Sequence, residues 1–202
     1  MINSSVMADS EPCPPIRNVE ELIQSLDAAV AACDDPTRCR QVMETLTRAF
    51  SCGEDILPAE FLETSPEGYA RRLLHRHPGG AYSVVVMVWG PGQGTPLHDH
   101  AGTWCVECVS HGSIRVMNYR REANLDSEAG ILDFTEQESV QAGVGEAGKL
   151  IPPFEYHIIE NPNEEVAVTV HVYGGEILRC NTFEKAEEGG YQLLVRELAY
   201  ND

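Results

Sequence analysis

The most chemically suggestive residues are two histidines, His98 and His100, which flank Asp99 just after the Gly-rich turn Pro91–Gly94. On a strand, residues i and i+2 point to the same face, so both imidazoles can converge on one point, as the ligands of a single metal ion do. By the same parity Asp99 points away and is not counted as a ligand. A lone His-x-His pair is equally what two surface or core histidines look like, so it needs support from elsewhere in the chain. Cys105-Val106-Glu107-Cys108 has the spacing of a redox or zinc-binding pair. Strand parity sends its two thiols to opposite faces, and no second pair completes a zinc site. Glu107 shares the nominal face of Cys105, and a bulge that shifted the register could bring its carboxylate to a metal. Tyr69 and Arg71 alternate along an extended stretch and share a face, with Arg72 on the other. His75, His77 and His111 lie in a basic cluster or a turn, where exposure is the expectation.

These side chains need a frame, and the periodicity supplies one. Residues 1–16, rich in Ser, Pro and Glu, read as a flexible tail. Asn18 can cap a helix, with Glu21 three residues on and an apolar stripe of Val19, Leu22, Ile23, Leu26 and Val30. Asp34-Asp35-Pro36 ends that helix and opens another, striped by Val42, Met43, Leu46, Ala49 and Phe50 and stopped near Gly53. A short helical turn is expected over 58–62. From Tyr69 onward the chain reads as β, with strand-like runs at 81–90, 103–109, 113–122, 131–134, 156–160, 166–175 and 191–198. There is no βαβ alternation and no internal repeat. The expected fold class is α+β, mainly β. Residues 17–202 form one domain, with helices inside 17–62 packed on an antiparallel barrel over 69–200.

The chain has 202 residues, with 14 Lys plus Arg against 32 Asp plus Glu, a formal charge of −18. So acidic a chain is a poor binder of nucleic acid or of anionic membranes, because both demand clustered positive charge. No apolar run approaches the roughly 20 residues of a membrane span, and the N-terminal stretch has neither the basic nor the apolar region of a secretory leader. Seven cysteines at irregular spacing do not suggest a disulfide framework, so a reducing cytoplasm is expected. Nothing in the helices demands a partner, so a monomer is expected.

Two longer motifs gather the histidines into one site. Gly92, five residues, then His98-x-His100, with six residues between Cys105 and Gly112, resembles the first cupin motif, with Cys105 at the position of the usual glutamate. Pro152, His157 and Asn161 resemble the second, with Phe154 where glycine is usual. The resemblance implies a cupin double-stranded β-helix in which His98, His100 and His157 hold a metal. Three neutral imidazoles leave about three octahedral positions open and keep the ion's charge available to anionic substrates.

Over residues 69–184 the chain further resembles the cysteine dioxygenase family of thiol dioxygenases. WGPGQGTPLHDHAGTWC (89–105) is similar to that family's iron-binding stretch, and TVHVY (169–173) to its Ser-His-Tyr relay, with Thr169, His171 and Tyr173 at the three positions. Tyr69 and Arg71 match a tyrosine and the arginine that binds the substrate carboxylate, and Cys180 matches a cysteine near the mouth of the site. Cys105 matches the cysteine that in some members forms a thioether with the tyrosine at Tyr173. Arginine at 71 and cysteine at 105 resemble the cysteine enzymes; relatives acting on 3-mercaptopropionate typically have glutamine and glycine there. The resemblance therefore implies a non-haem Fe(II) enzyme that oxidises L-cysteine with O2 to cysteine sulfinate. A dioxygenase of 3-mercaptopropionate or mercaptosuccinate, or a metal-binding cupin without oxygenase activity, stays open at this point.

Overall fold

Two amphipathic helices lead into the barrel, and each starts where a side chain can cap it. α1 (Val19–Val30) follows Asn18, whose side chain accepts from the Glu21 N–H, while the Glu21 carboxylate accepts from the Arg17 N–H. α2 (Asp35–Phe50) follows Asp34, which accepts from the Thr37 N–H, with Pro36 in the first turn. A single 3-10 turn occupies Ala59–Phe61. The computed structural model describes residues 14–32, 34–52, 55–122, 131–153, 155–187 and 189–201. Most of the expected tail, together with Cys13, Cys33, Gly53 and Phe154, lies outside the described residues.

Twelve strands follow among the described residues: β1 (Ala70–Arg76), β2 (Ser83–Trp89), β3 (Leu97–His98), β4 (Cys105–His111), β5 (Ser113–Arg121), β6 (Ile131–Leu132), β7 (Phe134–Gly143), β8 (Ala147–Leu150), β9 (His157–Glu160), β10 (Ala167–Tyr173), β11 (Arg179–Lys185) and β12 (Tyr191–Glu197). They form two antiparallel sheets, ordered β1-β2-β10-β4-β8 and β6-β12-β11-β3-β9-β5-β7. From β2 the chain crosses between the sheets repeatedly: β2 to β3, β3 to β4, β4 to β5, β7 to β8, β8 to β9, β9 to β10 and β10 to β11. That winding is the double-stranded β-helix, and the mainly β class with two helices is as expected.

Alternation divides the five-stranded sheet into two buried faces. Val84, Val86, Val88, Val106, Val168, Val170 and Val172 point outward and pack with Leu22, Leu26, Val42 and Leu46 of the helices. Val85, Met87, Trp89, Cys105, Val109 and Tyr173 point into the barrel. Burial on both faces explains why β2, apolar from Val84 to Trp89, reads as an unbroken run rather than an alternating one. Gly112 turns β4 into β5 with φ +67°, and a Cβ there would meet Val166 O at 2.8 Å, so this position requires glycine.

The strand list is longer than the sequence suggests. β7, β8 and β11 carry no apolar alternation. β7 (FTEQESVQAG) is exposed along most of its length. It is held by antiparallel pairing to β5 from Ser113↔Gly143 to Arg121↔Phe134. Ladder hydrogen bonds stabilise such a strand without a buried stripe to announce it.

Candidate metal centre and substrate pocket

His98 ends β3 and His157 begins β9, and the two are Cα partners in the ladder, with ring centroids 4.5 Å apart. His100 corrects the expectation of strand parity, because β3 stops at His98. A loop brings its ring to the site instead, with centroids 5.3 Å from His98 and 5.0 Å from His157. Asp99 lines the same cavity but is not one of the clustered ligands, and it staples that loop to β11. Its Oδ1 accepts from the Ala101 and Asn181 N–H groups (3.0 and 2.9 Å) and its Oδ2 from Asn181 Nδ2 (2.7 Å). Ala101 sits at φ 53°, an unusual conformation for a residue with a side chain.

One nitrogen from each of these three histidines lies within 4.8 Å of the others. Carbonyls set two of the tautomers. His98 Nδ1 lies 3.1 Å from Pro96 O and His157 Nδ1 lies 3.0 Å from Glu155 O, so each proton belongs on Nδ1 and each Nε2 keeps its lone pair. His157 Nε2 and His100 Nδ1 are buried without any hydrogen-bond partner. Burial holds all three rings below the usual histidine range, and neighbouring histidines push His100 and His157 further. Neutral, converging imidazoles with orphaned nitrogens suit a divalent metal ion.

Arg71 of β1 faces the same interior and is 3% exposed. Its Nη2 donates to Ile177 O (2.7 Å), while Nε and Nη1 are buried with no partner. A buried guanidinium with spare donors calls for an anion. Arg72 is also buried, on the opposite face, where it donates to Glu63 O (2.6 Å), so neither arginine is a solvated surface charge. Tyr69 stacks on Trp89 with centroids 4.6 Å apart. Tyr69, Arg71, His98, His100, His157, Tyr173, Cys180 and Arg196 share one cavity.

Thr169, His171 and Tyr173 alternate along β10 and turn inward. Trp89 Nε1 donates to Thr169 Oγ1 (2.9 Å), which lies 2.7 Å from His171 Nε2. With one lone pair taken by Trp89, the Thr169 hydroxyl is placed to donate to His171 Nε2, which leaves the imidazole proton on Nδ1. Burial pushes His171 down to about 3, so the ring is neutral. Its plane runs nearly parallel to the Tyr173 ring, at 14° and 6.0 Å. Cys105 is the Cα partner of Tyr173, and Glu107 that of His171. The β4–β10 register shifts only between Val168 and Thr169, beyond these pairs, so no bulge moves Glu107. Its Oε2 nonetheless lies 3.8 Å from His157 Nε2 and 3.6 Å from His171 Nδ1. It stays outside the three-histidine cluster, and its Oε2 has no hydrogen-bond partner. Burial lifts its pKa to about 8. Cys108 packs on the helix side, away from Cys105. Among the other histidines, His111 is bonded to Asp55, and His75 is only partly exposed, with its Nε2 buried.

Residues that sequence reasoning did not single out also shape the site. Trp89 anchors Thr169, Ile177 offers its carbonyl to Arg71, and Tyr200 lies against the Arg71 guanidinium. Trp89 could have been found, since it ends the apolar run that holds the inward-facing Val85 and Met87. Nothing local marks Ile177 or Tyr200, because their roles depend on residues far away in the chain.

A double-stranded β-helix with three inward histidines beside a buried arginine defines a cupin metal-site protein. The chain belongs to the cysteine dioxygenase type I family, whose family model matches residues 1–186. That makes it an oxidoreductase of the cupin dioxygenase type. Among curated relatives, it is 21% identical over 190 residues to cysteine dioxygenase type 1 of Danio rerio, covering 89% of this chain and 85% of that one. Among solved structures, it is similar to a conserved protein with a double-stranded β-helix domain from Klebsiella pneumoniae (18% identity, 72% of this chain and 100% of that one, TM-score 0.42). It is also similar to a recombinant oxalate oxidase in complex with glycolate (23% identity, 60% and 61%, TM-score 0.43).

Proposed function

We propose that this protein is a non-haem Fe(II) thiol dioxygenase that oxidises L-cysteine with O2 to cysteine sulfinate. The observation that carries the reading is the buried Arg71, with Nε and Nη1 unpaired, in the same cavity as His98, His100 and His157. The three histidines would hold the iron. When bound, it supplies O2 activation and lowers the pKa of a coordinated thiol. Arg71 binds the substrate carboxylate through donors that the protein leaves free, which orients the thiol and amine toward the histidines. Tyr69 walls the pocket. Tyr173 offers its hydroxyl to the reacting groups, held by the His171 ring beside it, and Thr169 and Trp89 hold His171. Burial keeps the Tyr173 phenol protonated, pushing it well above its ordinary range, so its O–H is available to donate. Cys105 stands opposite Tyr173, where a thioether between them would replace an S–H and a ring C–H bond with O2 as oxidant, a loss of two hydrogen atoms that intact-mass spectrometry reads directly. The protein acts on its small substrates as a monomer in a reducing cytoplasm.

The test is O2 uptake by anaerobically Fe(II)-loaded protein, with L-cysteine and 3-mercaptopropionate side by side and sulfinate quantified. Coupled uptake with cysteine preferred is the expected result. Arg71→Ala is expected to lose about 10- to 100-fold in kcat/KM for cysteine, the scale of a lost charge-assisted contact. Preference for 3-mercaptopropionate would overturn the substrate, and no uptake with either thiol would overturn the oxygenase reading.

A further inference from the structure

β1 is the edge strand of its sheet, so the outward N–H and C=O of Arg71 have no neighbouring strand to meet. The segment after β12 meets them. Arg71 N donates to Asn201 Oδ1 and Asn201 N donates to Arg71 O, both at 2.7 Å. Between these anchors and β12, Tyr200 places its ring against the Arg71 guanidinium, with Cζ 4.5 Å from the ring centroid. The Tyr200 hydroxyl lies 3.3 Å from Glu176 Oε1, and Glu176 is ion-paired with Arg76. The ring is therefore fixed from both ends.

We propose that Tyr200 is a positioning residue for substrate selection, whose ring holds Arg71 ready for a carboxylate and so favours thiols that carry one. The inference rests on the reading of Arg71 given above. Arg71 is long, and the hydrogen bond from Nη2 to Ile177 O fixes only one corner of its guanidinium. The tyrosine face attracts the guanidinium and leaves Nε and Nη1 unpaired. Nε and Nη1 therefore remain for the ligand. A carbonyl or carboxylate in the ring's place would take up those donors and compete with substrate.

The test uses the metal-loaded protein and its Tyr200→Ala, Tyr200→Phe, Arg71→Ala and doubly substituted variants. Two readouts are taken: anaerobic calorimetric titration with L-cysteine and with cysteamine, which lacks the carboxylate, and KM and kcat from O2 uptake. Tyr200→Ala is expected to weaken cysteine binding and raise its KM about three- to tenfold. Its kcat is expected within about twofold of the parent and its cysteamine binding unchanged. Tyr200→Phe, which keeps the ring, is expected to behave like the parent. Tyr200→Ala is expected to add nothing once Arg71 is alanine. Equal weakening of cysteine and cysteamine, or an undiminished effect in the Arg71→Ala background, would overturn the inference. Loss of cysteine binding in Arg71→Ala but not in Tyr200→Ala overturns it alone. Unchanged cysteine binding in Arg71→Ala overturns the reading of Arg71 and the inference with it. If alanine unfolds the chain, Tyr200→Leu keeps the bulk without the π face and carries the same test.

Discussion

Glu107 and the four inward histidines make the site a pH-sensitive part of the metal-free protein. His98, His100, His157 and His171 are all held below the usual range by burial, His171 at about 3. Between that range and about 6.5, the unfolded chain binds protons that the folded chain refuses, so stability falls as pH drops through this window. Glu107 works in the opposite direction. Its folded pKa of about 8 lies above the ordinary 4.5, so the folded chain holds the extra proton and stability falls as pH rises from about 4.5 to about 8. Where the two windows overlap, four histidines oppose one carboxyl and dominate. Metal-free protein is therefore expected to be most stable near pH 6.5, with losses on both sides, in urea titrations across pH. Glu107→Gln is expected to flatten the alkaline limb and leave the acid limb in place; an unchanged alkaline limb would show that Glu107 is not its source.

At the scale of elements, the site depends on how short segments are tied together. β3 contributes only Leu97 and His98, and His100 reaches the site from a loop stapled to β11 through Asp99. Asp99→Ala removes three hydrogen bonds to a buried carboxylate and strands the Asn181 N–H. The expected cost is about 2–4 kcal/mol in chemical denaturation. A weaker hold on metal should accompany it, measured by competition with a chelator, since His100 loses its support. Retained metal affinity would mean that His98 and His157, paired across the ladder, are enough. Asn161 plays a similar part, with Nδ2 donating to Trp89 O (2.9 Å) and Glu165 O (2.8 Å), which ties β2 to the turn leading into β10.

Across the whole molecule, the five-stranded sheet separates the two tasks. Its outer face joins the helices in one core, and its inner face carries Arg71, Thr169, His171, Tyr173, Cys105 and Glu107. Leu26 is fully buried in the outer core. Leu26→Ala is expected to cost about 2–5 kcal/mol and to lower the unfolding midpoint by several degrees. Activity per folded molecule should be unchanged, because no metal or substrate group touches that face. Lost activity in fully folded Leu26→Ala would show that the helices act through the sheet on the site.

Much of this was legible in the amino-acid sequence because it depends on near neighbours. Asn18 and Asp34 mark the helix starts, parity separates Cys105 from Cys108, and the two short histidine motifs point to the cupin winding that the strand order displays. The family, too, was readable from the residues around His98 and Thr169. Long-range pairing decided the rest. β7 is a polar stretch made into a strand by its ladder to β5. His100 converges through a loop rather than by alternation. Tyr200 and Ile177 reach Arg71 from more than a hundred residues away. Periodicity and spacing record what a residue does beside its neighbours. Which distant carbonyl receives an arginine, or which carboxyl stands behind a histidine, is settled only when the sheets close on each other and bury both partners.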